Sequence, residues 1–193
     1  MNSILKKIVF IYFVISASIA LGQFEMADST NKVIIKPFSP PVGAVIQNLL
    51  YTPAKIFLAP DIFGVNHNLL DYRGKSVVLY FINEDCASCV EGLNALDDLK
   101  KILGDDIVIF AFSNSSRKKL LDYYKGKKQN YNIMFNSKVF GEMMYAGSLG
   151  YPRLFYIDKQ GYTTKIIPSE TFDISTDIKN FIIKTISDIE KGR

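Results

Sequence analysis

The chain has two cysteines, Cys86 and Cys89, which stand two residues apart in the segment NEDCASCVEG. One helical turn can bring two thiols at this spacing together, so the pair could carry out thiol–disulfide exchange. A structural disulfide is a second interpretation, although a loop this short restrains little chain entropy. A metal site is a third, but zinc takes four ligands, and the chain offers only His67 and no further cysteine.

The segments on either side of the cysteines favour the redox interpretation. KSVVLYFI (75–82) is a continuous apolar run, which predicts a strand buried on both faces. CVEGLNALDDLKKILG has apolar residues at three- and four-residue steps, which predicts a helix that ends near Gly104. A thiol at a helix N-terminus is stabilised as thiolate by unpaired backbone N–H groups and the helix dipole. We therefore expect Cys86 to be the exposed attacking thiol and Cys89 the more buried resolving thiol.

Two acidic residues, Glu84 and Asp85, directly precede Cys86. Negative charge beside a thiolate raises its pKa and opposes the effect of the helix terminus. We therefore expect only a modest depression of the Cys86 pKa. Such a thiol suits a reductant or a balanced exchanger better than a very strong oxidant.

The remaining pattern predicts an α/β domain over residues 59–193. DDIVIFAF (105–112) predicts a second buried strand, SSRKKLLDYYKGK and KVFGEMMYAG predict short helices, and RLFYID–KQG–YTTKII predicts a β-hairpin. A stripe of apolar residues predicts a terminal helix; its members are Ile174, Ile178, Phe181, Ile182, Ile186 and Ile189. Strands joined through helices run parallel and the hairpin adds antiparallel strands, so we expect an α/β/α sandwich with a mixed central sheet.

The N-terminal residues 1–22 have the pattern of a signal peptide. MNSILKK is a short basic start, IVFIYFVISASIAL is an apolar run, and ALG supplies small residues that suit cleavage after Gly22. The alternative is a membrane anchor over residues 8–21, but that run is shorter than the ~20 apolar residues of a spanning helix. Either reading predicts export, most simply to a bacterial periplasm, where disulfides persist. Residues 23–58, which prolines interrupt, are expected to form an N-terminal extension with one or two short strands.

The net charge indicates no nucleic-acid partner. The whole chain carries +4, but Lys6 and Lys7 lie in the expected signal peptide, so about +2 remains after cleavage. A charge this small does not favour nucleic acid or an anionic membrane. The basic stretch SSRKKLLDYYKGKK could dock an acidic partner, although a solvated helix face is the simpler interpretation.

These motifs together resemble the thioredoxin superfamily, and within it the exported TlpA/ResA-like branch related to the AhpC/TSA family. APDIFGVNHNLLDYRGKSVVLYFINEDCASC is similar to the opening of that branch, and YAGSLGYPRLFYIDKQGYTTKI is similar to its later half. The resemblance covers about residues 59–190. It implies that Pro152 is a cis-proline facing the dithiol, and that the backbone of Tyr151 pairs with an extended partner segment.

The neighbours of the dithiol depart from the family pattern. Asp85 stands where a Trp is usual, Ala87 and Ser88 include no proline, and Tyr80 occupies the place of a buried acid that assists proton transfer. We expect Tyr80 to pack in the core, because an unperturbed phenol has a pKa of ~10 and relays protons poorly. The PxxxTxxC pattern of peroxiredoxins and the CxxxC-plus-His pattern of copper carriers are both missing, so neither chemistry is expected.

The sequence therefore predicts an exported thiol–disulfide oxidoreductase that reduces or exchanges disulfides of envelope proteins. In this hypothesis Cys86 and Cys89 are catalytic, Tyr151 and Pro152 bind the substrate, and no metal or small-molecule cofactor is needed. Electrons come from another thioredoxin-like protein or a membrane donor. The alternative hypothesis is a thioredoxin-like binding module with weak or lost redox turnover, which the altered neighbours of the dithiol suggest.

Overall fold

The computed structural model describes residues 40–83 and 86–171, together with Asp173, Thr176, Asn180 and Lys184. Its contacts group the chain from Pro41 onward into one compact unit. The expected signal peptide, the extension up to residue 39 and the apolar stripe of the predicted terminal helix lie outside the described residues. Among the described ranges no helix has the length and apolar character needed to cross a membrane.

The helices are α1 (Val42–Leu49), α2 (Ala87–Leu103), α3 (Arg117–Tyr124) and α4 (Lys138–Met144) within the described residues. The strands there are β1 (Leu58–Pro60), β2 (Asn66–Asn68), β3 (Ser76–Ile82), β4 (Ile107–Ser113), β5 (Asn132–Met134), β6 (Arg153–Ile157) and β7 (Thr163–Ile167).

The central sheet has the strand order β5-β4-β3-β6-β7. β3, β4 and β5 run parallel, whereas β6 and β7 are antiparallel to their neighbours. Strands β1 and β2 form a separate antiparallel hairpin. This mixed sheet and the predicted β6–β7 hairpin confirm the expected sandwich.

β3 lies at the centre of this sheet and is buried along its whole length. Side chains alternate between the two faces of a strand. Tyr80 and Ile82 therefore pack with Cys89 of α2 in an aliphatic core, while Leu79 and Phe81 pack in an aromatic core on the opposite face. The continuous apolar run predicted this placement, because a central parallel strand has no face turned to water.

Within the predicted extension, residues 42–49 form the helix α1 rather than a strand. Pro41 takes the position just before this helix, where a proline initiates a helix rather than breaking it. The apolar residues of α1 are half-buried against the aromatic core at helical spacing; they are Val42, Val45, Ile46 and Leu49. The prolines therefore delimit a helix, and the first described strand begins only at Leu58.

Candidate active site

The dithiol lies where β3 gives way to α2. Cys86 and Cys89 are joined by a disulfide bond. Cys86 caps the N-terminus of α2, because its sulfur accepts a hydrogen bond from the backbone N–H of Cys89 at 3.1 Å. Cys86 is half-buried, whereas Cys89 is 2% exposed. The helix terminus thus gives Cys86 a hydrogen-bond donor that stabilises a thiolate.

Tyr80 lies beneath the first turn of α2 and is completely buried. Its hydroxyl donates a long hydrogen bond of 3.4 Å to the carbonyl oxygen of Cys89. Burial raises the pKa of Tyr80 well above its usual value of 10, because ionisation would place a charge in a low-dielectric core. The phenol therefore stays protonated at physiological pH and supports the helix as a neutral group.

Gly92 makes room for Tyr80 beneath α2. A Cβ atom at this position would lie 2.8 Å from Cζ of Tyr80 and closer still to its hydroxyl oxygen. Real Cβ atoms do not approach other atoms this closely, so only glycine leaves space for the phenol. The tyrosine and the glycine are two halves of one packing arrangement.

The Tyr151–Pro152 peptide bond is cis, which confirms the conformation implied by the resemblance. The register brings this bond to the end of the sheet where the dithiol lies: Arg153 pairs with Phe81, one residue before the end of β3. Pro152 is buried and directly precedes β6, whose Leu154 packs in the same aliphatic core as Cys89.

The backbone of Tyr151 already holds one internal partner. The hydroxyl of Ser169 donates to the Tyr151 carbonyl oxygen at 2.9 Å. A carbonyl oxygen has two lone pairs, so this bond leaves capacity for a second donor. Nothing in the sequence marked Ser169, because it reaches the site from beyond β7 rather than from the dithiol or cis-proline segments.

Arg153 follows the cis-proline and is completely buried. Its guanidinium donates to the carbonyl oxygens of Tyr145 at 3.0 Å, Gly150 at 2.7 Å and Gly141 at 2.7 Å. It also lies 4.4 Å from the ring centroid of Tyr151. Burial lowers the pKa of Arg153, yet a guanidinium keeps its proton in a protein. The side chain therefore ties the loop that carries the cis bond to α4 and the aromatic core.

His67, the one histidine considered for a metal site, lies in strand β2 and is 7% exposed. Its Nδ1 lies 2.6 Å from the hydroxyl of Tyr72, and its Nε2 lies 3.2 Å from Asp61 Oδ2. The other Asp61 oxygen accepts from two backbone N–H groups of its own turn. This network contacts Phe110 in the aromatic core, so it anchors the β1–β2 hairpin on the face away from the disulfide.

The model of the AhpC/TSA family matches residues 51–166, more than half of the chain. No curated protein matches the chain. Among solved structures, the pneumococcal exposed lipoprotein thioredoxin Etrx1 from Streptococcus pneumoniae strain TIGR4 is 25% identical with a TM-score of 0.54, and the match covers 67% of this chain and 99% of that one.

Two further solved structures share the fold at lower identity. A thiol:disulfide interchange protein of the thioredoxin family from Chlorobium tepidum is 20% identical with a TM-score of 0.55, over 69% of this chain and 94% of that one. A secreted Mycobacterium tuberculosis disulfide oxidoreductase described as homologous to E. coli DsbE is 12% identical with a TM-score of 0.55, over 66% and 95%. These similarities confirm the thioredoxin fold and the resemblance found in the sequence.

Proposed function

This chain belongs to the AhpC/TSA family, whose members are thioredoxin-fold oxidoreductases, and we propose that it reduces or exchanges disulfides of envelope proteins through Cys86 and Cys89. One observation carries this proposal. A half-buried sulfur at a helix N-terminus, with a buried second sulfur bonded to it, lies at the same sheet end as a cis-proline segment. A structural disulfide requires neither the helix cap nor the cis bond.

The exchange starts from the reduced dithiol. The Cys86 thiolate attacks one sulfur of the partner's disulfide, forms a mixed disulfide and releases the other partner sulfur as a thiolate. Cys89 then loses its proton to solvent and attacks the Cys86 sulfur, which frees the second partner thiolate and restores the Cys86–Cys89 disulfide. The released partner thiolates take up protons. Two electrons have passed to the partner, and a dithiol donor must return two electrons before the next cycle.

Partner recognition in this proposal uses strand addition. The register places the segment before β6 at the end of β3, and an extended partner segment would hydrogen-bond to the backbone of Tyr151 while its disulfide meets Cys86. Arg153 and Ser169 support this segment from within the protein. They act as positioning residues, since neither touches the reacting sulfurs in the described contacts.

Export completes the proposal. The pattern of residues 1–22 supports it, and the structural neighbours include an exposed lipoprotein and a secreted oxidoreductase. Mass spectrometry of protein recovered from a bacterial periplasm tests this point. We expect a mature chain that begins at Gln23. An intact N-terminus in the membrane fraction would instead indicate an anchor over residues 8–21.

The activity test is catalysed reduction of insulin by a dithiol donor. We expect the wild-type chain to accelerate the reaction, Cys86→Ser to abolish the acceleration, and protein alkylated at both thiols to behave like Cys86→Ser. The binding-module alternative predicts no acceleration and a disulfide that glutathione buffers cannot reduce. Measuring the reduction potential alongside the turnover separates the two hypotheses, because only the oxidoreductase needs an accessible potential.

A further inference from the structure

We propose that the protein docks on the surface of anionic lipid bilayers through the tip of the β1–β2 hairpin and the adjoining side of α3. The apolar tip would enter the bilayer interface, and the cations of α3 would contact lipid phosphates. We call this region the hairpin–α3 surface; it consists of Phe63, Val65, Arg117, Lys118 and Lys125. The inference goes beyond the proposed function and does not depend on the dithiol.

The hairpin presents apolar side chains to solvent. At its tip Phe63 is 60% exposed and Val65 is 55% exposed, and Leu58 in β1 is 74% exposed. The segment 56–70 contains one carboxylate and one histidine, and both side chains are buried. The exposed part of the hairpin therefore carries no charge. Exposed apolar patches of this kind mark surfaces that contact a partner or a membrane.

Buried hydrogen bonds hold the tip in place. Asp61 Oδ1 accepts from the backbone N–H groups of Phe63 at 2.8 Å and Val65 at 2.9 Å, while its Oδ2 lies 3.2 Å from Nε2 of His67. Gly64 has a φ of +90°, a conformation that glycine adopts without steric cost. The turn thus keeps Phe63 and Val65 exposed in a fixed arrangement, which lowers the entropy cost of binding.

Arg117, the first residue of α3, joins that helix to the tip. Its Nε donates to the carbonyl oxygen of Ile62 at 2.8 Å. One of its terminal nitrogens lies 3.9 Å from the position that a Cβ atom of Gly64 would take. The exposed guanidinium therefore lies directly beside the apolar tip, and its remaining N–H donors suit a phosphate group.

Two lysines extend the cationic side of α3. Lys118 and Lys125 are exposed and form no ion pair within the described ranges. Leu121, three residues after Lys118 and four before Lys125, packs against the small core that contains Ile62. Residues at this spacing share one side of a helix. The two lysines therefore lie on the side of α3 that faces the hairpin.

The small net charge of the chain conceals an uneven distribution. Residues 117–128 contain six basic residues and one acid, Asp122, a net charge of +5, whereas the whole chain carries +4. The rest of the chain therefore sums to −1. Anionic lipids attract a basic segment of this kind over about one Debye length. The hairpin–α3 surface combines this local charge with exposed apolar side chains, and both contribute to interfacial binding.

A lipid surface fits these residues better than a protein partner does. Lysine is depleted in protein–protein interfaces, and an apolar tip needs a matching pocket in a protein. A bilayer interface accepts an apolar side chain without a preformed pocket, and lipid phosphates accept lysine as a point charge. We therefore assign an anionic bilayer as the occupant and treat an acidic polypeptide as an outcome of the test.

The chain contains no tryptophan, so one introduced tryptophan can report contact with lipid. Phe63→Trp places it at the tip. Tyr162→Trp places it at another exposed aromatic position (44%) beside β7, whereas the hairpin bridges to β5 at the opposite edge of the sheet. The protein is used as the cell processes it, and phosphatidylcholine vesicles with or without phosphatidylglycerol are added at low salt.

We expect the fluorescence of the Phe63→Trp protein to shift to shorter wavelength with the anionic vesicles and to be quenched by brominated lipid. Neutral vesicles should produce neither change, and added salt should weaken both. The Tyr162→Trp protein should show neither change with either kind of vesicle. The lipid concentration that gives half of the shift serves as the measure of affinity.

Charge variants in the Phe63→Trp background locate the electrostatic contribution. The double variant Lys118→Glu/Lys125→Glu should lower the affinity for anionic vesicles about 30-fold. Lys75→Glu/Lys159→Glu makes the same change in net charge at two exposed lysines near the β6–β7 turn and should lower the affinity less than about three-fold.

Apolar variants in the same background locate the contribution of the tip. Val65→Ser should lower the affinity for anionic vesicles about five-fold, because its side chain no longer leaves water on binding. Val90→Ser, at a similarly exposed valine (43%) in α2, makes the same change on the other face of the sheet and should leave the affinity unchanged.

Three results would overturn the inference. The first is an unchanged fluorescence of the Phe63→Trp protein with anionic vesicles. The second is an equal response to neutral and anionic vesicles, or an equal loss of affinity in the two double lysine variants, since either shows that the cations of α3 do not select the surface. The third is the same shift with soluble polyglutamate as with anionic vesicles, which would make the partner an acidic polypeptide. Disulfide reduction by the wild-type protein is unaffected by all three.

Discussion

The two faces of the central sheet differ in what they bury. The face beneath α2, which we call the dithiol face, is aliphatic and places the neutral phenol of Tyr80 near Cys89. The other face, which we call the aromatic face, holds the phenylalanine cluster together with the buried cation of Arg153 and the network around His67. The buried charges of the described domain therefore lie away from the disulfide.

The fold thus places the disulfide on one face of the sheet and the buried charged side chains that support the loops on the other. On the dithiol face, the core of the described residues contains no buried carboxylate. On the aromatic face, the cation of Arg153 is used to shape the loop that carries the cis-proline. Variants of each face can test whether this division is real, and they are given from the largest expected effect to the smallest.

Replacing Arg153 should have the largest effect on stability. Arg153→Met leaves three carbonyl oxygens without their donor, and we expect a loss of about 2–4 kcal/mol in the free energy of unfolding. Urea denaturation measures this loss. Arg73→Met, at an exposed arginine that bonds one loop carbonyl, should cost less than about 1 kcal/mol. If Arg153→Met and wild type have equal free energies of unfolding, the buried guanidinium does not stabilise the fold.

The same variant should separate loop shape from chemistry. Arg153→Met should lower the rate with peptide disulfides several-fold more than the rate with bis(2-hydroxyethyl) disulfide, because only peptides need the Tyr151 backbone. Arg153→Lys keeps the charge but fewer of the hydrogen bonds. Its rate with peptide disulfides should therefore lie between those of wild type and Arg153→Met. A proportional loss with both substrates would place Arg153 in general folding rather than in positioning.

Gly92→Ala should have the next largest effect. Alanine is normally favoured over glycine inside a helix, but here the added Cβ collides with Tyr80, so we expect a destabilisation of about 1–3 kcal/mol. Gly43→Ala in α1 adds the same methyl group in open space and should be neutral or stabilising. The double variant with Tyr80→Phe should recover part of the loss, and additive effects would contradict the paired packing.

Tyr80→Phe should have the smallest effect. It removes the long hydrogen bond from the Tyr80 hydroxyl to the carbonyl oxygen of Cys89, so we expect a cost of about 1 kcal/mol. Because the pKa of Tyr80 is raised in the folded state, its contribution to stability is present below pH ~10 and is lost as the pH rises above that value. The pH profile of disulfide reduction between pH 5 and 9 should therefore match wild type. If the wild-type pH profile shows an inflection that the Tyr80→Phe profile lacks, the phenol takes part in proton transfer.

The sequence predicted what hydrophobic periodicity encodes. The buried strand β3, the helix α2 ended by Gly104, and the β6–β7 hairpin are all present, because each is long enough for a pattern. β5 was missed, since three residues carry no period and its pairing with β4 is decided by tertiary contacts.

The sequence predicted only part of the candidate site, because some of its residues depend on tertiary contacts that leave no local pattern. The motif and the resemblance identified the cysteines and the cis bond. They did not identify Arg153 or Gly92, whose roles depend on partners that lie far away in sequence, such as Gly141 and Tyr80. Two signals were nevertheless present: a charged residue opening a buried strand, and a glycine inside a strongly helical segment.

Mixed-disulfide trapping tests most directly whether Cys86 attacks partner proteins and Cys89 resolves the adduct. The variants Cys89→Ser and Cys86→Ser are expressed with the native N-terminal segment in a bacterial periplasm, and adducts are read on non-reducing gels. We expect Cys89→Ser to accumulate adducts that a reductant releases, and Cys86→Ser to accumulate none. Absence of adducts from both variants, or adducts from Cys86→Ser alone, would contradict the assignment of the two thiols.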